Sequence, residues 1–311
     1  MMKTVVQDLG EFRGNHLYMK RDDLLPFSFG GNKARKAVLF FQEVDEGGYD
    51  SVVTYGSGSS NHCRIVANMC AARNISCHVI APLEASEPTF NSQLINMFGA
   101  ETTTVPVAEV HDTIEAKLEE LRQAGKKPYF IYGGGHGNIG TEAYVRCYRE
   151  IREWEREEGI HLDYIFFASG TGTTHAGLVC GQMLAGEQNS REIIGISISR
   201  PNPKGRNKVL ASIKDYMGDR ATDEEIEAAT VFLDDYRAGG YAKSSPEIVA
   251  TVDYVLKNYG IPLDETYTGK AFTGMDKYLA EKGIQKKNVL FIHTGGTPLF
   301  FDGLKKRESA E

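Results

Sequence analysis

Between residues 51 and 293 the chain alternates short apolar runs of strand length with longer stretches that are apolar along one face. Ser51–Tyr55, Ser76–Ala81, Thr102–Val105, Tyr129–Tyr132, Tyr164–Ala168, Ile193–Ser199 and Val289–His293 read as buried strands. Helical patterns over Asn32–Glu46, Asn61–Arg73, Thr89–Met97, Val110–Ala124 and Thr141–Glu157 lie between or beside them. The last of these puts Ala143, Cys147, Ile151 and Trp154 on one face. Apolar strands joined through helices pair in parallel, so the pattern predicts an α/β fold with a mostly parallel sheet covered by helices on both faces. Residues 1–29 read as an irregular or short-strand lead-in, and Arg237–Pro246 (RAGGYAKSSP) as a mobile loop.

Four of the predicted strands run into loops of glycine and hydroxyl residues. Ala168–Gly177 (ASGTGTTHAG) combines glycines, which let backbone approach closely, with threonine hydroxyls and a following helix N-terminus, the requirements of a phosphate cradle. It matches neither a dinucleotide fingerprint nor a P-loop. Tyr55–Arg64 (YGSGSSNHCR) offers a second helix start, which either caps itself or holds a carboxylate. Tyr132–Gly140 and His293–Pro298 (HTGGTP) end two further strands. Such loops gather at the carboxyl edge of a parallel sheet, where α/β proteins bind ligands.

Gly30–Lys36 (GGNKARK) delivers Lys33 to the first turn of a helix, for which Asn32 is a suitable N-cap. The positive helix end and any burial push a lysine toward the neutral amine that attacks carbonyls. Read alone, the stretch favours a solvated lysine beside a Gly-Gly turn. Likewise Lys20, Arg21, Asp22 and Asp23 alone read as a solvated charge run. A reactive lysine, a phosphate cradle and a second anion site are together what pyridoxal phosphate requires.

KRDDLLPFSFGGNKARK, GSGSSNHCR, ASGTGTTHAGL, YTGKAFTGM and HTGGTP, spread in order from Lys20 to Pro298, resemble the fold type II (tryptophan-synthase-β-like) pyridoxal-phosphate enzymes. Within them the chain is similar to the D-cysteine desulfhydrase and 1-aminocyclopropane-1-carboxylate deaminase group. The resemblance implies that Lys33 carries the cofactor covalently and moves protons at the substrate α-carbon. Asn61 would meet the cofactor's 3-oxygen. Gly170, Thr171, Gly172, Thr173 and Thr174 would hold its phosphate with help from Lys36, and Thr268 or Thr294 would face its ring nitrogen. Ser59, Ser60, Asn61 and His62 would bind the substrate, with Ser60 and Tyr267 as catalytic groups. Two mostly parallel units are implied, a small domain over 51–148 inserted into a large one built from 1–50 and 149–311, as is a homodimer.

Two departures narrow this expectation. Thr268 stands where the deaminases carry a glutamate that keeps the ring nitrogen protonated, and a hydroxyl makes the ring a weaker electron sink. Expelling a β-leaving group needs less of a sink than opening a cyclopropane. Ser59 replaces the usual glutamine, and Phe27 and Phe29 are unusual before the glycines. The expected reaction is therefore α,β-elimination on a small D-cysteine-like amino acid, giving pyruvate and ammonia. The alternatives are β-replacement, deamination of the aminocyclopropane type, or a non-catalytic protein that binds a phosphate ligand. A net charge of −7 without a basic cluster argues against nucleic acid, and no apolar run is long enough for a bilayer span. The N-terminus MMKTVVQDLG has no signal-peptide core. Five cysteines without CxxC spacing suit a reduced, cytoplasmic setting and no metal site; Cys63, His62 and His78 lack paired ligand spacing.

Overall fold

The structure is a computed structural model and describes residues 3–308. Its strands are β1 (Val6–Phe12), β2 (Asn15–Lys20), β3 (Ser51–Tyr55), β4 (Ser76–Pro82), β5 (Glu101–Val105), β6 (Pro128–Ile131), β7 (Tyr164–Ser169), β8 (Glu192–Ser197), β9 (Val231–Leu233) and β10 (Asn288–Ile292). Four of them, ordered β5-β4-β3-β6, make an all-parallel sheet. The other six run β1-β2-β10-β7-β8-β9, parallel except for the antiparallel pair β1–β2. The predicted strands fall within these elements to within one or two residues; most are buried parallel strands marked by near-continuous apolar runs, whereas edge strand β5 is a largely exposed run marked by β-branched threonines.

The lead-in is more regular than the sequence indicated. β1 and β2 form a hairpin whose two loop residues, Arg13 and Gly14, both have positive φ (54° and 77°), the turn that matches strand twist. A loop of Arg-Gly lacks the Asn-Gly or Asp-Gly signature, so no local signal marked it.

The helices are α1 (Asn32–Gly47), α2 (Asn61–Ala71), α3 (Phe90–Met97), α4 (Val110–Gln123), α5 (Asn138–Glu158), α6 (Thr173–Leu184), α7 (Lys204–Met217), α8 (Asp223–Ala229), α9 (Pro246–Tyr259), α10 (Thr268–Glu281) and α11 (Thr297–Glu308). The six-stranded sheet has a core on each face. Residues such as Tyr144, Ile151, Val179 and Ile213 from α5, α6 and α7 fill one, and Val252, Phe272 and Met275 from α9 and α10 fill the other. Under the smaller sheet, Ala37, Phe40, Phe41 and Val44 of α1 pack with Ile65, Val66 and Cys70 of α2. Helix α1 therefore follows β2 of the larger sheet in sequence but buries its apolar side with the smaller one.

The stretch read as a solvated charge run is buried. Lys20 and Asp22 are fully enclosed. From α1, Arg35 donates Nη2 to Asp22 Oδ1 (2.6 Å) and Nε to Oδ2 (3.1 Å), and Nη1 to Glu150 Oε2 of α5 (2.7 Å). Lys20 donates to Glu150 Oε1 (2.6 Å), and the Tyr144 hydroxyl to Asp22 Oδ2 (2.7 Å). Burial alone would raise the Asp22 carboxyl, but the charges of Arg35 and Lys20 and the hydrogen bonds from Arg35 and Tyr144 bring it down to about 2. Glu150 and Arg35 come from distant segments, which is why a local reading misjudged Lys20 and Asp22.

A buried charge deprived of its partner is costly. Asp22→Asn should lower the unfolding free energy by about 3–5 kcal/mol in a denaturant titration at neutral pH, and a loss under about 1 kcal/mol would contradict this role. Because the Asp22 pKa is depressed, its stabilisation is complete above the ordinary carboxylate range and is lost as pH falls from about 4 toward 2.

Candidate active site

A cavity of about 410 Å³ opens between the carboxyl ends of the two sheets. Its wall comes from strand-end loops: Tyr55–Ser57 after β3, Gly133 and Gly134 after β6, Ser169–Gly172 after β7, Ile198–Arg200 after β8, and Thr294 and Gly295 after β10. This is the position that the topology of parallel sheets favours for ligands.

Lys33 reaches this cavity because α1 starts where two glycine turns interlock. Gly30 and Gly31 have φ of 55° and 97°, and a Cβ on Gly31 would sit 2.6 Å from the Thr294 carbonyl oxygen. The Asn32 amide donates to that carbonyl (3.0 Å). Asn32 does not cap the helix as anticipated; its Nδ2 donates to Thr174 Oγ1 (3.0 Å), joining the starts of α1 and α6. Lys33 Nζ donates to the Gly134 carbonyl (3.1 Å), and burial lowers its pKa to about 8. One turn on, Lys36 Nζ donates to Thr173 Oγ1 (2.7 Å) and is fully buried. Burial and then the Lys33 charge press its pKa well below the usual lysine value, and no carboxylate opposes either effect.

Of the residues expected at the site, Lys33, Ser60, Asn61, His62, Gly170, Thr171, Gly172, Thr174, Tyr267 and Thr294 line the cavity. Four lie behind its wall. Lys36 and Thr173 are engaged with each other. The Ser59 hydroxyl faces those of Ser57 (3.1 Å) and Tyr241 (3.2 Å). Thr268 corrects the ring-nitrogen expectation: at the start of α10 its hydroxyl donates to buried Asp264 (2.8 Å), which also accepts the Thr266, Tyr267 and Thr268 amides, so Thr294 alone of the pair reaches the wall. Phe27 packs into the core beneath the smaller sheet and Phe29 covers Arg64; neither lines the cavity. Ser60 caps α2, its hydroxyl accepting from the Cys63 amide (3.2 Å). His62 shares a hydrogen bond with Thr54 Oγ1 (2.9 Å), and burial with the Lys33 and Lys36 charges keeps it neutral.

Tyr241 was not anticipated. The loop read only as mobile carries it over the cavity, where its hydroxyl meets that of Tyr267 (2.9 Å) as well as Ser59 and Ser57 (3.4 Å). Burial, and next Tyr241, raise the Tyr267 phenol well above its usual pKa, so it stays protonated at neutral pH. Buried Lys270 holds this loop by donating to the Gly240 (2.7 Å) and Ile198 (3.1 Å) carbonyls. Arg200 also lines the cavity, anchored on the Gly170 carbonyl (2.8 Å). Among the described residues no aspartate or glutamate lines the cavity, no cluster of side chains could hold a metal ion, and no helix is long and apolar enough to cross a membrane.

Residues 4–295 match the family described as pyridoxal-phosphate dependent enzyme. The D-cysteine desulfhydrase of Serratia proteamaculans is 31% identical over 304 residues, covering 94% of this chain and 90% of the relative. That of Salmonella paratyphi A is 32% identical over 305 residues, covering 94% and 90%. The crystal structure of a homologue of 1-aminocyclopropane-1-carboxylate (ACC) deaminase superposes with a TM-score of 0.85 at 31% identity, over 99% of this chain and 94% of that one. Diaminopropionate ammonia lyase of Escherichia coli shares the fold, with a TM-score of 0.65 at 17% identity over 99% of this chain and 85% of that one.

The residues present fit the cofactor that the family uses. An enclosed amine of lowered pKa faces the cavity, a helix start stands beside it, and behind the threonine loop lies a buried lysine without an anion. In cofactor-free protein, Lys33 should react with an amine-directed reagent at a rate that climbs with pH to a midpoint near 8, read by peptide mass spectrometry, because only the neutral amine reacts. A midpoint above 10 would contradict the assigned environment.

Proposed function

The chain belongs to the pyridoxal-phosphate dependent enzyme family and is a lyase within it, and from that premise we propose that it acts by α,β-elimination on a small amino acid with a β-leaving group, D-cysteine or a close relative. The observation that carries this reading is a cavity whose wall joins the enclosed Lys33 amine to a phenol kept protonated, with no carboxylate among the described lining residues. When bound, pyridoxal phosphate supplies the sink that stabilises negative charge at the substrate α-carbon. With the Thr294 hydroxyl on the wall and no carboxylate among the described lining residues to pair with a ring nitrogen, that sink would be modest, which favours expulsion of a thiol over cyclopropane opening.

Each side chain has a role in this reading. Lys33 holds the cofactor and takes the proton from the substrate α-carbon. Gly170, Thr171, Gly172 and the first amides of α6 hold the phosphate, with Lys36 behind them and Arg200 beside them. The Ser57–Asn61 loop and the start of α2 take the substrate carboxylate. Tyr267 gives a proton to the departing sulfur, and Tyr241, 40% exposed, returns one from solvent. Loss of the α-hydrogen and the β-thiol leaves an enamine acid, which water converts to pyruvate and ammonia. Five buried, unpaired thiols support a reducing, cytoplasmic compartment, and a homodimer, measurable by light scattering, belongs to the same reading.

D-cysteine should yield pyruvate and sulfide in equal amounts, with L-cysteine turned over more slowly and no thioether formed when a second thiol is added. Turnover of the aminocyclopropane with D-cysteine inert would overturn the elimination reading, and a thioether product would replace it with β-replacement. Tyr241→Phe should lower kcat about 10–100-fold while moving KM much less. An unchanged kcat would remove Tyr241 from the proton path.

A further inference from the structure

Helix α2 carries a charge that the chemistry above does not use. Arg64, three residues after Asn61, is completely buried, and the Phe29 ring lies over it with 5.8 Å from ring centroid to guanidinium carbon. Its side chain donates one hydrogen bond, from Nη1 to Asn91 Oδ1 (3.1 Å), while Nε and Nη2 have no partner among the described residues. Burial lowers its pKa to about 9, so it remains charged at neutral pH. An enclosed cation without a counter-ion is an expensive way to fill a core, and a methionine would pack there at less cost.

What Arg64 touches gives the cost a use. Asn91, also fully buried, donates both Nδ2 hydrogens, one to the Ser59 carbonyl (2.8 Å) and one to Asn61 Oδ1 (3.0 Å). Every link has one permitted direction. A guanidinium only donates, so it must meet the Asn91 oxygen; a backbone carbonyl only accepts, so Ser59 must meet the Asn91 nitrogen. Asn61 therefore has its oxygen engaged behind the wall, and the group left for the cavity it lines is its N–H donor. A charged donor at the head of a buried chain also strengthens the bonds that follow.

We propose that Arg64 and Asn91 are positioning residues that lock the Asn61 amide as a hydrogen-bond donor toward the 3-oxygen of the cofactor ring and hold the carboxylate-binding loop through Ser59. The assignment rests on the cofactor reading above. It explains how a loop of small residues with few packing contacts keeps a fixed polarity at its one amide.

Asn91→Asp in the holoprotein is the informative variant. A carboxylate there pairs with Arg64 and keeps the fold, but it cannot donate, so the Asn61 amide must turn over and offer its oxygen to another oxygen. The expected result is a thermal midpoint close to that of the unmodified protein, with a displaced visible absorption band and cofactor held about tenfold or more weakly in equilibrium dialysis. Arg64→Gln, which removes the charged donor while the Ser59 carbonyl still orients Asn91, should give a smaller loss in the same direction, and Arg64→Lys, charged and donor-only, should restore most of the affinity. Neither Asn91→Asp nor Arg64→Gln should weaken binding further in an Asn61→Ala background. Unchanged affinity and band in Asn91→Asp, or a full additive loss on top of Asn61→Ala, would overturn the proposal. If Asn61→Ala alone binds cofactor normally and still turns over D-cysteine, the proposal fails while the lyase reading stands; an unmodified protein with no visible band fails both.

Discussion

Arg35 and Lys20 both lie buried between Asp22 and Glu150, each within 4.0 Å of both carboxylates, and the placement of Lys33 depends on that arrangement. On an α-helix Arg35 points about 200° from Lys33, so the ion pairs on one side of α1 set what the other side presents. Two cations face two carboxylates with almost no water access, and sliding or rotating α1 would strand at least one charge. Such a network is not a strong source of stability, because desolvation consumes much of the attraction. Its effect here is geometric: it ties β2, α1 and α5 together in one register, and the interlocked turns at Gly31 and Thr294 carry that register to the start of the helix.

The cavity follows the opposite electrostatic rule. Lys33 and Lys36 have no opposing carboxylate, Arg200 reaches only a carbonyl, and the start of α6 adds partial positive charge. Burial lowers Lys33 to about 8, and burial and then the Lys33 charge press Lys36 down, an arrangement that suits a dianionic ligand and leaves Lys33 reactive near neutral pH. The carboxylate that could have compensated them, Asp264, is turned away and saturated by three amides and the Thr268 hydroxyl. Positive potential with no acid among the described lining residues thus distinguishes this cavity from the balanced network less than two helical turns away.

Some of this was legible in the chain and some was not, for physical reasons. Parallel strands were readable because they are apolar on both faces, and their ends were readable because glycine and hydroxyl residues follow them. Lys33 and most of the Gly170–Thr174 loop were readable as cavity residues because glycine turns and helix starts restrict which residues work there, while the role expected of Asn61 came from the family resemblance. Lys20 and Asp22 looked solvated because their partners are more than ten residues away in Arg35 and Glu150. Tyr241 carried no local signal at all: a tyrosine in a glycine-rich loop acquires meaning only when Lys270 anchors that loop against the site. Thr268 follows Tyr267, which lines the cavity, but its own hydroxyl donates to Asp264 instead.

Every role proposed for the cavity requires Lys33 to be the amine that binds the cofactor, rather than Lys36 or Lys270, which are buried nearby with lowered pKa values. Reducing the purified holoprotein with borohydride would fix the cofactor to whichever amine holds it, and peptide mass spectrometry would then locate it. The cavity geometry predicts a single modified peptide with the label on Lys33, since Lys36 is engaged with Thr173 and Lys270 with two carbonyls. A label on Lys36 or Lys270, or no label in protein that shows the cofactor's visible band, would contradict it.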